Sequence, residues 1–195
     1  YAKDVAVVGN RAYITTLSNS SGPEFFVIDV TNPEQAGATL GTLEFANNVN
    51  SLSISGNFAY IATSNNTKEI QIIDISNSAM PRISKTYDNP GNADGSDILI
   101  SGNNLYLSTM PNSSNPNFGI FTVNTSNPTD VTITGVGQMS LDTDVNAMAL
   151  DVANNQVFLA TSLVTGEVTS IDITTPQTPT AKATIDLPGT AVSLA

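Results

Sequence analysis

The sequence predicts an all-β protein built of β-propeller blades, each of four antiparallel strands. Three observations carry this. First, a strand run ending in an acid or amide and a polar turn, mostly Pro-marked, occurs four times. The copies are Phe25-Phe-Val-Ile-Asp-Val-Thr-Asn-Pro33, Ile70-Gln-Ile-Ile-Asp-Ile-Ser-Asn-Ser-Ala-Met-Pro81, Ile120-Phe-Thr-Val-Asn-Thr-Ser-Asn-Pro128 and Val168-Thr-Ser-Ile-Asp-Ile-Thr-Thr-Pro176. Second, the units recur at near-constant spacing: their first strands begin at Asp4, Ser51, Asp97 and Ala147, with gaps of 47, 46 and 50 residues. Third, every apolar run has strand length and no helical period persists along the chain. Four short strands per repeat of this length is the sequence form of a propeller blade, whereas leucine-rich and helical solenoids need helices and other periods.

The elements follow in the same order in each unit. The first, residues 4–45, opens with Asp4–Val8, turns at Gly9-Asn10 and returns along Ala12–Leu17. Gly and Asn tolerate positive φ, so the pair reads as a tight hairpin. A polar loop, Ser18–Glu24, leads to the third strand Phe25–Val30, and Thr39–Phe45 is the fourth. The second unit, 51–87, repeats this as Ser51–Ser55, Gly56-Asn57, Phe58–Thr63, loop Ser64–Glu69, Ile70–Ile75 and Ile83–Tyr87. The third, 97–139, has Asp97–Ser101, Gly102-Asn103, Leu105–Thr109, loop Met110–Phe118, Ile120–Thr125 and Val131–Met139. The fourth, 147–187, has Ala147–Asp151, a looser turn at Asn154-Asn155, Val157–Ala160, loop Ser162–Glu167, Val168–Ile173 and Ala181–Leu187. Tyr13, Tyr60, Tyr106 and Phe158 fall at one place in the hairpin and are expected in the blade core.

Residues 190–195 align with the first strand and are expected to start a fifth blade. Five first strands against four of each other kind do not fit a closed four-bladed ring. The chain is therefore expected to be an arc of a larger propeller, roughly six to eight blades. Its open faces are expected to meet further blades of the same protein or a neighbouring copy, with self-assembly through the unpaired terminal strand Thr190–Ala195.

The runs Asp4-Val-Ala-Val-Val-Gly-Asn-Arg-Ala-Tyr-Ile, Phe26-Val-Ile-Asp-Val, Ile72-Ile-Asp-Ile-Ser-Asn and Tyr87-Asp-Asn-Pro-Gly-Asn-Ala93 resemble the LVIVD-repeat family. The resemblance extends over the whole chain as a blade signature. The third unit departs from it, with Asn124 in place of the Asp and no second Pro after Pro128; the fourth lacks the Gly-Asn turn. The resemblance implies a propeller of a secreted or surface protein of bacteria or archaea. It implies no shared catalytic residue.

Composition narrows the function. Of 195 residues, 40% are hydrophobic and only 12% charged, so a core is affordable in apolar content and the polar surface is mostly hydroxyl and amide. The net charge is −11, and the six bases (Lys3, Arg11, Lys68, Arg82, Lys85, Lys182) are scattered. Phosphate binding needs clustered Lys and Arg, which disfavours nucleic acid and anionic membrane surfaces. There is no Cys and no His. That removes disulfides, thiol chemistry, Ser-His-Asp triads, His-based acid–base catalysis and zinc sites of the usual kind. No apolar run approaches the roughly 18 residues of a membrane span, and Tyr1 opens no signal-peptide pattern. Asn19, Asn65, Asn112 and Asn124 begin Asn-x-Ser/Thr triplets, read as chance matches in a chain rich in these residues, with glycosylation left open.

No catalytic residue is assigned. Asp29, Asp74, Asn124 and Asp172 recur at one blade position, which points to bonding of the following turn. Asp4 and Asp97 begin innermost strands and are expected at the central channel. Asp142-Thr-Asp144-Val-Asn146 starts like a calcium loop, but Ala147 stands where Gly is needed and Ala153 where Glu is needed. That leaves Asp142, Asp144 and Asp97 as weak oxygen ligands for Ca2+, the one cofactor considered. The expectation is a non-enzymatic extracellular or cell-surface scaffold that binds a protein partner through its variable loops. The alternative is a metal-assisted hydrolase whose site is completed by blades elsewhere.

Overall fold

The computed structural model describes residues 1–18, 22–32, 34–35, 37–91, 93–110, 116–141 and 143–194. It contains four separate four-stranded antiparallel sheets, each with its strands in sequence order. Blade 1 is β1 (Ala2–Val8), β2 (Arg11–Thr16), β3 (Phe25–Asp29) and β4 (Thr39–Leu43). Blade 2 is β5 (Val49–Ser55), β6 (Phe58–Thr63), β7 (Ile70–Asp74) and β8 (Arg82–Tyr87). Blade 3 is β9 (Gly95–Ser101), β10 (Asn104–Thr109), β11 (Phe118–Asn124) and β12 (Thr132–Met139). Blade 4 is β13 (Val145–Asp151), β14 (Gln156–Thr161), β15 (Val168–Asp172) and β16 (Thr180–Ile185). Among the described residues no helix is long and apolar enough to cross a membrane.

The hairpins form where the sequence places them. Gly9, Gly56 and Gly102 sit at φ of 57°, 57° and 58°, a conformation that costs a glycine nothing. Blade 4 reaches it with Asn155 at φ 51°, and Asp151 accepts from the Asn154 backbone N–H to hold that longer turn.

Packing between sheets makes the core. Four blades enclose three clusters. Tyr13, Phe25 and Val27 of blade 1 meet Leu52, Ala59, Ile61, Ile73 and Ile75 of blade 2. Phe58, Tyr60, Ile70 and Ile72 of blade 2 meet Ile98, Leu105, Leu107, Phe121 and Val123 of blade 3. Tyr106, Phe118 and Ile120 of blade 3 meet Met148, Val157, Leu159, Ile171 and Ile173 of blade 4. The inner strands β1, β5, β9 and β13 are neighbours in that order along the inside of the arc. A fully buried Leu or Ile contributes about 1.5–3 kcal/mol, so each blade depends on its neighbours for most of its stability.

Two β-bulges recur in every blade. The pairing of first and second strands slips at its start, which leaves Lys3, Asn50, Ser96 and Asn146 as the extra residues. The pairing of third and fourth strands slips at Leu40, Ser84, Val136 and Lys182. A bulge bends its strand and re-aims a side chain.

Two expectations are adjusted. Residues 190–194 are not part of a strand, and Ala195 lies outside the described residues. In blade 3 the third strand runs two residues longer: Thr122, not Asn124, stands opposite Asn104, where Asp74 stands opposite Phe58. Asn124 still begins the turn, accepting from the Ser126 backbone N–H at 3.0 Å.

The fourth strands approach the next blade's turn closely. A Cβ on Gly41 would overlap the Ser78 carbonyl oxygen, and one on Gly137 the Pro176 carbonyl oxygen. We expect Gly41→Ala to lower the urea-unfolding free energy by about 1–3 kcal/mol. Gly189→Ala, where a Cβ meets nothing within 4 Å, is expected to stay within about 0.5 kcal/mol of wild type.

Candidate functional site

Three layers of polar side chains recur through the blades, and each has a structural job. The first closes the turn after the third strand. Asp29 accepts from the backbone N–H of Thr31 at 2.9 Å and its hydroxyl at 2.5 Å. Asp74 accepts from the Ser76 N–H at 2.9 Å and hydroxyl at 2.6 Å, and from the Arg82 guanidinium at 2.8 Å. Asp172 accepts from the Thr174 N–H at 2.9 Å, with the Lys182 ammonium 3.7 Å away. These bonds hold the carboxyls of Asp29 and Asp172 below the usual range, first through the Thr side chain and then through its backbone N–H. Burial pushes Asp74 up, but its bonds from Ser76 and Arg82 outweigh that and the net shift is downward.

The second layer lines the inside of the arc. Asp4 Oδ2 of blade 1 accepts from the Leu52 N–H of blade 2 at 2.8 Å. Asp97 Oδ2 of blade 3 accepts from the Met148 N–H of blade 4 at 2.6 Å. The Ser51 hydroxyl lies between them, 2.6 Å from Asp97 Oδ1 and 3.1 Å from Asp4 Oδ2. Desolvation pushes the Asp97 carboxyl up, with the charge of Asp4 adding to it; the bonds from Ser51, Met148 and Ile98 act against this. The bulged residues complete the layer. Asn50 donates to the Gly95 carbonyl at 2.7 Å, Ser96 to the Val145 carbonyl at 2.8 Å and Asn146 to the Ala191 carbonyl at 2.8 Å. Asn50 and Ser96 thereby tie their blades to the start of the next inner strand.

The third layer escaped the sequence reading, which treated Glu24, Glu69 and Glu167 only as loop ends. Glu24 and Glu69 are fully buried, Asn117 is 2% and Glu167 3% exposed. All four sit just before the third strand and bond the segment that leaves the fourth. Glu24 Oε2 accepts from the Phe45 N–H at 2.8 Å, Glu69 Oε2 from Asn89 at 2.9 Å, Asn117 Oδ1 from Leu141 at 2.8 Å and Glu167 Oε2 from Leu187 at 2.9 Å. Asn117 also donates to the Thr143 carbonyl. Burial pushes Glu69 up; the Asn89 N–H opposes this, and the charges of Asp88 and Asp94 add to it. The signal for this layer was the recurrence of Glu, Glu, Asn and Glu beside a Thr-rich second strand, visible only when the loops are aligned from their C-terminal ends.

Asp142 lies outside the described residues. The Asp97 oxygens are occupied by three N–H and O–H donors, and Asp144 borders a cavity with Lys3, Asn50, Ser96 and Asn146. Among the described residues no three acids converge as a metal cluster. Of the Asn-x-Ser/Thr positions, Asn19 and Asn112 lie outside the described residues. Asn65 accepts from Thr67, and Asn124 is engaged in its turn.

The LVIVD repeat matches residues 1–35 and 46–89. No curated protein sequence matches the chain significantly. Among solved structures, a putative 6-phosphogluconolactonase from Bacteroides uniformis is similar at 16% identity and a TM-score of 0.76, over 96% of this chain and 56% of that one. The β-propeller domain of Cps50 (Swd1) from Myceliophteria thermophila gives 12% identity and 0.68, over 93% and 57%. A Nidogen/Laminin complex gives 14% and 0.64, over 98% and 67%. At these identities the likeness concerns the fold. The chain spans a little over half the length of the first two.

The buried acids predict opposite pH responses. Asp74, held low, contributes stability that is present above about pH 3.9 and lost as pH falls through its folded value. Glu69, held high, binds its proton more tightly folded than unfolded, so its contribution is full below about pH 4.3 and is lost as pH rises through its folded value. We expect Glu69→Gln, which keeps an acceptor for Asn89, to hold or raise the urea midpoint at pH 7 and to flatten that decline. Glu69→Leu is expected to cost about 1–3 kcal/mol by orphaning the Asn89 N–H.

Proposed function

We propose that this chain, a member of the LVIVD-repeat β-propellers, serves as a non-enzymatic scaffold of an extracellular or cell-surface protein, presenting variable loops to a protein partner. The observation that carries this is how its carboxylates are used. Asp4, Glu24, Asp29, Glu69, Asp74, Asp97, Glu167 and Asp172 accept from backbone N–H groups of turns, crossings and neighbouring blades. At Asp29, Asp74 and Asp172 these donors hold the carboxyl low, which leaves little basicity for general-base chemistry. These eight acids are thus committed to holding turns, crossings and blades in place.

Presentation fits the same geometry. The loops between second and third strands are braced at both ends of their span. Thr16, Thr63, Thr109 and Thr161 donate backbone N–H bonds to the carbonyls of Glu24, Glu69, Asn117 and Glu167, across 2.7–3.0 Å. The length between these braces varies from blade to blade, so loops can change while the sheet below is unaffected. A structure related in fold occurs in a complex of Nidogen with Laminin, which supports protein binding as a use of this fold.

Two measurements test this. Intact cells of the source organism treated with an external protease, then probed with antibody against the chain, should lose the signal; recovery of the protein intact in the cytosolic fraction would refute the surface assignment. Melting with millimolar CaCl2 against EDTA should give midpoints within about 1 °C. A rise of several degrees with Ca2+, by the mass-action relation for a native-state ligand, would move the assignment to the metal-assisted alternative.

A further inference from the structure

We propose that the cavity where blade 3 meets the end of blade 2 is a binding site for a neutral carbohydrate. The proposal rests on this cavity and stands independently of the scaffold role. The cavity holds about 400 Å³, within the roughly 300–1,000 Å³ of small-ligand sites. Tyr87 and Asn89 line it from the end of blade 2 and the crossing that follows, Phe121 and Gln138 from the outer strands of blade 3, and Gln177 from the turn after β15.

The internal repeats show how blade 3 makes this space. Its third strand begins at Phe118, as the others begin at Phe25, Ile70 and Val168. The next residue pairs with the fourth strand as Phe26–Thr42, Gln71–Thr86 and Thr169–Thr184 in blades 1, 2 and 4, but as Gly119–Gln138 in blade 3. Gln71 and Thr169 are 3% and 2% exposed, on the side of Ile73 and Ile171 that packs against the preceding blade. Glycine removes that side chain in blade 3, and Gln138 places an amide where the others carry Thr. Two residues on, the pairs Ile28–Thr39, Ile73–Ile83 and Ile171–Ala181 become Phe121–Gly135. The Phe121 ring occupies the room the glycines leave: a Cβ on Gly119 would come within 2.9 Å of it and one on Gly135 within 3.9 Å. Tyr87 meets this ring in a T-shaped contact, with 5.3 Å between centroids. Phe121 is buried and Tyr87 half-buried, while Gln138 and Gln177 are exposed. The cavity thus has an aromatic floor and a rim of amides.

The lining specifies the ligand class. Among the described residues no charged side chain lines the cavity, in a chain of net charge −11. Nothing there would offset the desolvation of an ion. A wholly apolar ligand would cover the amides without pairing them, which is also costly. The side-chain amides of Gln138 and Gln177 make no hydrogen bond within the protein among the described residues, and each offers a donor and an acceptor together. A sugar ring matches both parts. Its C–H faces suit the aromatic floor, and its adjacent hydroxyls suit the amide rim.

The probes are cellohexaose, maltohexaose, mannohexaose and chitohexaose, neutral oligosaccharides of different stereochemistry, with a Pro-rich peptide as the rival occupant. Calorimetric titration of the purified full-length protein should show saturable binding of at least one sugar with a Kd of about 1 mM or tighter. Two variants restore residues that other blades carry: Gln138→Thr, and Gly135→Thr, whose Cβ would meet the Tyr87 hydroxyl at an ordinary 3.5 Å. Both should weaken binding about tenfold or more, with melting midpoints within about 2 °C of wild type. Absence of binding by all four sugars up to about 10 mM, or binding that both variants leave intact, would overturn the proposal. So would binding of the peptide alone with loss in the variants, because the cavity would then belong to a protein partner.

Discussion

A four-stranded blade is apolar on both faces and cannot bury either one alone. Everything else in the structure depends on that constraint. Leu52, Ala59, Ile61 and Ile73 on one side of blade 2 and Phe58, Tyr60, Ile70 and Ile72 on the other are all nearly inaccessible, but only because blades 1 and 3 stand against them. The core is therefore distributed among blade junctions rather than gathered at a centre, as expected for a repeat protein whose units gain stability from nearest neighbours.

Flat apolar contact between sheets would permit sliding, and the polar layers remove that freedom. The inner-strand bulge turns Asn50 and Ser96 toward the next blade's first carbonyl and Asn146 toward the carbonyl of Ala191, while Asp4 and Asp97 reach the next blade's N–H groups. These bonds are directional and cross a junction at its inner edge. The buried Glu or Asn before each third strand fixes the crossing that joins one blade to the next. A half-satisfied buried carboxyl is costly, and Glu24 and Glu69 each leave Oε1 without a partner. Blade 3 does the same work with the neutral Asn117 and satisfies both ends of its amide. What the position requires is thus an acceptor of the right length, not a charge.

The legibility of these features follows from their range. The hairpins, the strand order and the turn acids Asp29, Asp74 and Asp172 were readable because their partners lie within a few residues, so spacing alone reveals them. Glu24, Glu69 and Glu167 were not, because their partners are 20 or 21 residues away and a loop of variable length hides the alignment. Asn124 was assigned the right turn but the wrong place across the sheet, since two added residues in β11 shift the strand without altering the motif. Asp97 was weighed as a metal ligand because sequence cannot display that its donors come from blades 2 and 4.

By itself, the sequence determined what local chemistry enforces: an all-β chain, four repeats, Gly-Asn hairpins at positive φ, and the exclusion of His, Cys and clustered bases. Only the tertiary structure decided which repeated residues face a neighbour and which face solvent. Val5 and Leu52 are equivalent in sequence and opposite in exposure, 58% against 6%. The physical reason is that burial of a blade face is a property of the pair of blades, and no unit carries that information within its own residues.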